Sequence, residues 1–170
     1  MTLKILGAIF VFVGCGGFGF LIAATHRREV KTLHQLISSL SFMECEIQYH
    51  LTPLPELCRY TASASNGIVK NIFIALANEM DSQISPNVEK CMCSVISKTP
   101  NIPKLTKDAL TVLGKSLGHF DADGQLKGLI AVRTECQNSL DAYTVNQDTR
   151  LRSYQTLGLC AGAAIAILFI

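Results

Sequence analysis

Residues Ile5 to Thr25 form an unbroken run of 21 residues without a charge. As an α-helix such a run is about 30 Å long, enough to cross the hydrocarbon core of a bilayer. His26, Arg27, Arg28 and Lys31 follow at once. Basic residues beside a span favour the cytoplasmic side. A cleaved signal peptide would have a shorter apolar stretch and more charge before it. Phe12-Val13-Gly14-Cys15 faintly resembles a lipoprotein processing site, but ten further uncharged residues continue beyond that cysteine. The run therefore reads as an uncleaved spanning helix. The chain's other end repeats the pattern more weakly. Tyr154 to Ile170 gives 17 uncharged residues, at the lower edge of the spanning range, with Arg150 and Arg152 just before it. Both basic flanks then face the cytoplasm. The expected organisation is a spanning helix at 1–25, a cytoplasmic domain at 26–153 and a second spanning helix at 154–170, with both termini on the far side.

Small residues recur at helical spacing in both ends. Gly158, Gly162 and Ala166 share one face of the second segment, and Gly19 and Ala23 share one of the first. Such faces let helix backbones approach closely in lipid. They are the expected packing surface of the two anchors.

Between the ends lies nearly all the charge. Of the 15 Lys and Arg residues in the 170-residue chain only Lys4 lies outside 27–152, and all 13 acidic residues lie inside it. The middle is therefore close to neutral. It carries no basic stripe with interleaved aromatics, so nucleic acid is not an expected partner. Seven cysteines, an odd number at irregular spacing, do not resemble a disulfide framework. Reduced thiols fit a cytosolic compartment.

Helical periodicity dominates the middle domain. Val30, Leu33, Ile37, Leu40, Met43, Ile47 and Leu51 step by three or four. No Pro or Gly interrupts residues 20–52, so the first anchor is expected to run on as one long rod. Thr52-Pro53-Leu54-Pro55-Glu56 supplies a cap, an N1 proline and a first-turn acid for a helix over 53–64. Ser65-Asn66-Gly67 breaks it. A helix over 68–83 follows, with Ile68, Ile72, Phe73, Leu76 and Met80 on one face. Ser85-Pro86 starts another over 86–98. Pro100 and Pro103 bar its continuation. A helix over 104–117 carries Leu105, Leu110, Leu113 and Leu117, with Gly118 placed to end it. Asp121 can cap a last helix from Ala122 to Tyr154. The fold class is all-α: an antiparallel helical bundle flanked by N- and C-terminal transmembrane helices.

No catalytic or metal-binding set emerges. His26, His34, His50 and His119 show no His-x-x-x-His pair. Cys91-x-Cys93 points two thiols to different sides of a helix and has no second pair, so zinc is not expected. Glu44 and Glu46 lie about 200° apart on a helix and do not share a site. No phosphate-binding glycine loop and no nucleophile elbow is present. No cofactor is expected and the chain reads as non-enzymatic. The enzymatic alternative would rest on a buried Glu44 or Cys91.

Several stretches resemble the stage III sporulation protein AB family of endospore-forming bacteria. They are Leu3-Lys4-Ile5-Leu6-Gly7-Ala8, His26-Arg27-Arg28, Leu36-Ile37-Ser38-Ser39-Leu40, Met43-Glu44-Cys45-Glu46-Ile47 and Leu51-Thr52-Pro53-Leu54-Pro55-Glu56. Later come Leu113-Gly114-Lys115-Ser116-Leu117-Gly118 with Asp121 and Gln125, and Leu157-Gly158-Leu159-Cys160-Ala161-Gly162. The chain departs from the family's usual pattern in lacking Trp near Cys91, in Phe120 and in Gly124. The resemblance implies a subunit of the stage III sporulation A complex, in the mother-cell membrane around the forespore. It also implies similarity to the platform protein of type II secretion systems, whose helical cytoplasmic part couples to a cytosolic ATPase. The implied partners are the other subunits, including that ATPase, and membrane lipid. Candidate docking residues lie at the bundle end: Thr52, Pro53, Leu54, Pro55 and Glu56, with Leu117, Gly118 and Asp121. The alternative is a membrane-anchored helical adaptor or sensor of another bacterial membrane system.

Overall fold

The computed structural model describes residues 2–50, 52–82, 87–117 and 123–145, with side chains in the first segment from Thr25 onward. Within them there are six helices and no strand: α1 (Thr2–His50), α2 (Leu54–Ala64), α3 (Gly67–Asp81), α4 (Val88–Lys98), α5 (Lys104–Ser116) and α6 (residues 123–145). The chain divides into a larger compact unit, Glu29–Asp141, and a smaller one made of Met1–Arg28 with Ala142–Ile170.

α1 is one continuous helix of 49 residues, as the absence of Pro implies. Its core stripe in the larger unit is Leu33, Leu36, Leu40, Met43 and Ile47, all buried. Leu36 replaces the expected Ile37, which is half-buried with Val30 at the edge of the same cluster. At 100° per residue the two candidates are neighbours on the helix, and only the packed partner decides between them. α3 contributes Val69, Ile72, Phe73, Leu76 and Ala77, and α5 contributes Leu110 and Leu113. α6 adds Leu129, Val132, Cys136 and Leu140 at spacings of three and four. Its remaining positions are largely open to solvent, so it lies on the core by one stripe alone.

Close approaches fix the helix directions. A Cβ on Gly114, late in α5, would stand 2.8 Å from Met92 Cβ, early in α4, so these two helices run antiparallel. A Cβ on Gly128 would meet Ser116 Cβ at 3.0 Å, placing early α6 against the end of α5. Arg133 Nε donates to Glu44 Oε1 at 2.7 Å, joining α6 to α1. The Glu29 carboxylate accepts from the Lys104 backbone N–H at 3.2 Å, so a side chain of α1 caps the start of α5.

The helix ends depart from expectation in three places. Thr52 does not cap α2: Pro53 takes the N-cap position without a side-chain hydrogen bond, and Thr52 reaches back to Glu46. α4 starts at Val88 with Asn87 as its cap, accepting from Glu89 N at 2.8 Å, while Ser85 and Pro86 lie outside the described residues. Leu117, in extended conformation, closes α5 ahead of Gly118, which is outside them too.

Among the described residues no helix is long and apolar enough to cross a membrane. The side chains of residues 1–24, with Gly19 and Ala23, and all of 146–170, with Gly158, Gly162 and Ala166, lie outside them.

Candidate docking surface

The turn from α1 to α2 is built for rigidity. Glu46 and His50 sit one turn apart on α1, with Glu46 Oε2 3.6 Å from His50 Nδ1. Thr52 Oγ1 donates to the same Glu46 oxygen at 3.5 Å. Pro53 holds φ at −55° and Pro55 lies in the first turn of α2, where its missing N–H costs nothing. Leu54 packs on the core edge, while Pro53 and Glu56 face solvent.

Two aromatics flank this turn. Tyr49 is 71% exposed and Tyr60 is 52% exposed. Pro53, Glu56 and Tyr60 follow each other at spacings of three and four, so they share the outward side of α2. Exposed tyrosine beside a rigid turn is the residue type that anchors protein interfaces, because it buries a large area at small entropic cost. Both tyrosines lie outside the stretch Thr52 to Glu56 that the sequence pattern singles out. Their signal was present: Tyr49 follows the core residue Ile47 by two and Tyr60 follows Cys58 by two, the wrong spacing for the buried stripe.

The second expected group divides differently. Leu117 is fully enclosed in the core and offers no surface. Gly118 and Asp121 lie outside the described residues.

The titratable groups show what the rest of the domain can do chemically. Burial pushes the Cys58 thiol up to about 12. Burial, with the nearby Glu135 charge, pushes Cys136 up to about 11. Cys91 is raised by burial and by Glu79. A nucleophilic cysteine needs the opposite shift. Glu44 is engaged by Arg133, and Glu79 is held below the usual carboxylate range by hydrogen bonds from Ser94 and Lys98. Glu44 and Glu46 have separate partners, as their spacing requires. Among the described residues no three His, Cys, Asp or Glu side chains converge on a point where a metal could sit. The five described cysteines form no disulfide.

A sequence profile of the family described as stage III sporulation protein AB matches residues 4–170. The chain belongs to the stage III sporulation protein AB family. Among the family's relatives, the stage III sporulation protein AB of Bacillus subtilis (strain 168) is 26% identical over 168 residues, covering 98% of both chains. A solved structure of a stage III sporulation protein AB aligns with a TM-score of 0.60 at 23% identity, covering 72% of this chain and 98% of that one. That likeness carries the helical fold of the family to this chain. The names of these relatives place the family in sporulation.

Proposed function

We propose that this chain is a non-enzymatic membrane subunit of the stage III sporulation A complex, which joins mother cell and forespore, and that it docks the complex's cytosolic ATPase. Residues 1–25 and 154–170 are its anchors, packed through Gly19, Ala23, Gly158, Gly162 and Ala166. Residues 26–153 lie on the cytoplasmic side. The observation that carries the docking reading is the proline-stiffened turn Thr52 to Glu56 flanked by exposed Tyr49 and Tyr60. Rigid, exposed aromatics beside a fixed turn lose little freedom on binding. Gly118 and Asp121 belong to the same proposal on sequence grounds. The protonated buried thiols and the paired Glu44 favour a scaffold over the enzymatic alternative.

Affinity capture from membranes of sporulating cells tests this. The full chain should bring down the ATPase together with other membrane subunits. The double substitution Tyr49→Ala with Tyr60→Ala should release the ATPase at least about tenfold, the scale of interface tyrosines, while keeping the membrane subunits. Retention of the ATPase by that variant removes the docking surface. Capture of soluble partners without an ATPase favours the adaptor.

A further inference from the structure

The outward side of α2 carries a charge that the bundle leaves unanswered. Glu56 is exposed in the first turn of α2, and Tyr60, 52% exposed, stands one turn further on. Arg59 lies three residues after Glu56, a spacing at which the two could pair on one helix. Its guanidinium instead reaches α3 and is hydrogen-bonded to the Asp81 carboxylate. The other base beside the turn, His50, lies against Glu46. Glu56 has no hydrogen bond or ion pair among the described residues. The side of α2 given by Pro53, Glu56 and Tyr60 therefore presents one uncompensated negative charge and no positive one.

The positive end of α2 accounts for an acid in its first turn. It does not account for an exposed phenol four residues later. Residues at that spacing are neighbours on a helix surface, about 5–6 Å apart at Cβ, and helical side chains lean toward the N-terminus, so the Tyr60 ring leans toward Glu56. A carboxylate beside an aromatic face matches a guanidinium, which donates paired hydrogen bonds to the one and stacks on the other. An ammonium matches the charge alone. We propose that Glu56 and Tyr60 together receive one arginine side chain of the docked protein partner. This names the chemistry of the docking surface and rests on that reading. Both groups stand on a helix whose start is fixed by Pro53 and Pro55, so they are in place before the partner arrives.

Photocrosslinking in sporulating cells tests this on the full chain. A benzoylphenylalanine in place of Ser63, exposed one turn beyond Tyr60, leaves both proposed groups intact. The crosslinked peptide of the partner should carry an arginine. Glu56→Gln and Tyr60→Leu should each lower the crosslink yield at least about tenfold, the scale of a truncated interface charge pair or anchor. Changing the partner's arginine to lysine should lower it similarly, and adding Glu56→Gln to that change should lower it no further. Asp108→Asn removes an exposed acid from α5 and should leave the yield unchanged. No crosslink, a crosslinked peptide without arginine, full yield with Glu56→Gln, or additive losses would overturn the proposal. An arginine found on a protein other than the ATPase removes the ATPase reading and leaves the arginine receptor standing. Release of the ATPase by Tyr49→Ala with Tyr60→Ala but not by Glu56→Gln keeps the docking surface and removes the receptor.

Discussion

The Thr106 hydroxyl is fully enclosed and has no hydrogen-bond partner. The other buried hydroxyls are treated differently. Ser39 and Ser65 share a 2.7 Å bond, Ser65 donates to the Thr61 carbonyl at 2.6 Å, and Thr61 donates to the Leu57 carbonyl at 2.7 Å. An enclosed hydroxyl without a partner costs free energy that a methyl group of the same shape does not. Thr106→Val should therefore stabilise the domain by about 1 kcal/mol, seen as a higher urea midpoint at unchanged m-value. At this scale the sequence was legible only in part. The spacing of Leu33, Leu40, Met43 and Ile47 identified core positions, but Leu36 and Ile37 could not be ranked without the helix they pack against. Thr52 has the right residue type for a cap, yet the proline after it occupies the cap position and turns its hydroxyl toward Glu46.

Helices pair here through polar contacts that cross the bundle as well as through the core. The Glu44–Arg133 pair joins α1 to α6 with 15% and 29% of the two side chains exposed. It is less screened than a surface pair and not fully desolvated. A double-mutant cycle with Glu44→Gln and Arg133→Gln should give a coupling of about 1 kcal/mol in urea unfolding, falling only modestly as salt is raised. A coupling that vanished in salt would show the pair to be a surface one. Among the described residues the number and order of helices were legible, because prolines at 53, 55, 100 and 103 and the break at 65–67 punctuate a chain of strong helical periodicity. The cross-bundle pairs were not. Glu29 to Lys104 and Glu44 to Arg133 join residues 75 and 89 positions apart, and no local spacing rule reaches that far.

For the molecule as a whole, the buried thiols set the response to alkali. Cys58 and Cys136 stay protonated in the fold up to about 12 and about 11, whereas in the unfolded chain they ionise near 9.0. Above that value the unfolded state binds fewer protons, so stability is complete below it and falls as pH rises toward the folded values. The slope is up to about 1.4 kcal/mol per pH unit for each thiol. Urea midpoints from pH ~8 to ~10 should fall more steeply for the wild type than for Cys58→Ala with Cys136→Ala, even though the variant starts less stable. Family membership was legible from the Thr-Pro-Leu-Pro-Glu turn and the Leu-Gly-x-x-Leu-Gly stretch, which hold their order along the chain. The exposure of Tyr49 and Tyr60 was not, because exposure is a property of the assembled bundle. The α1–α2 turn carries one more implication. Pro53 and Pro55 restrict the backbone before any helix has formed, so the denatured chain already samples fewer directions out of residue 52. Part of what keeps that turn in place thus acts on the random coil, where no native contact records it.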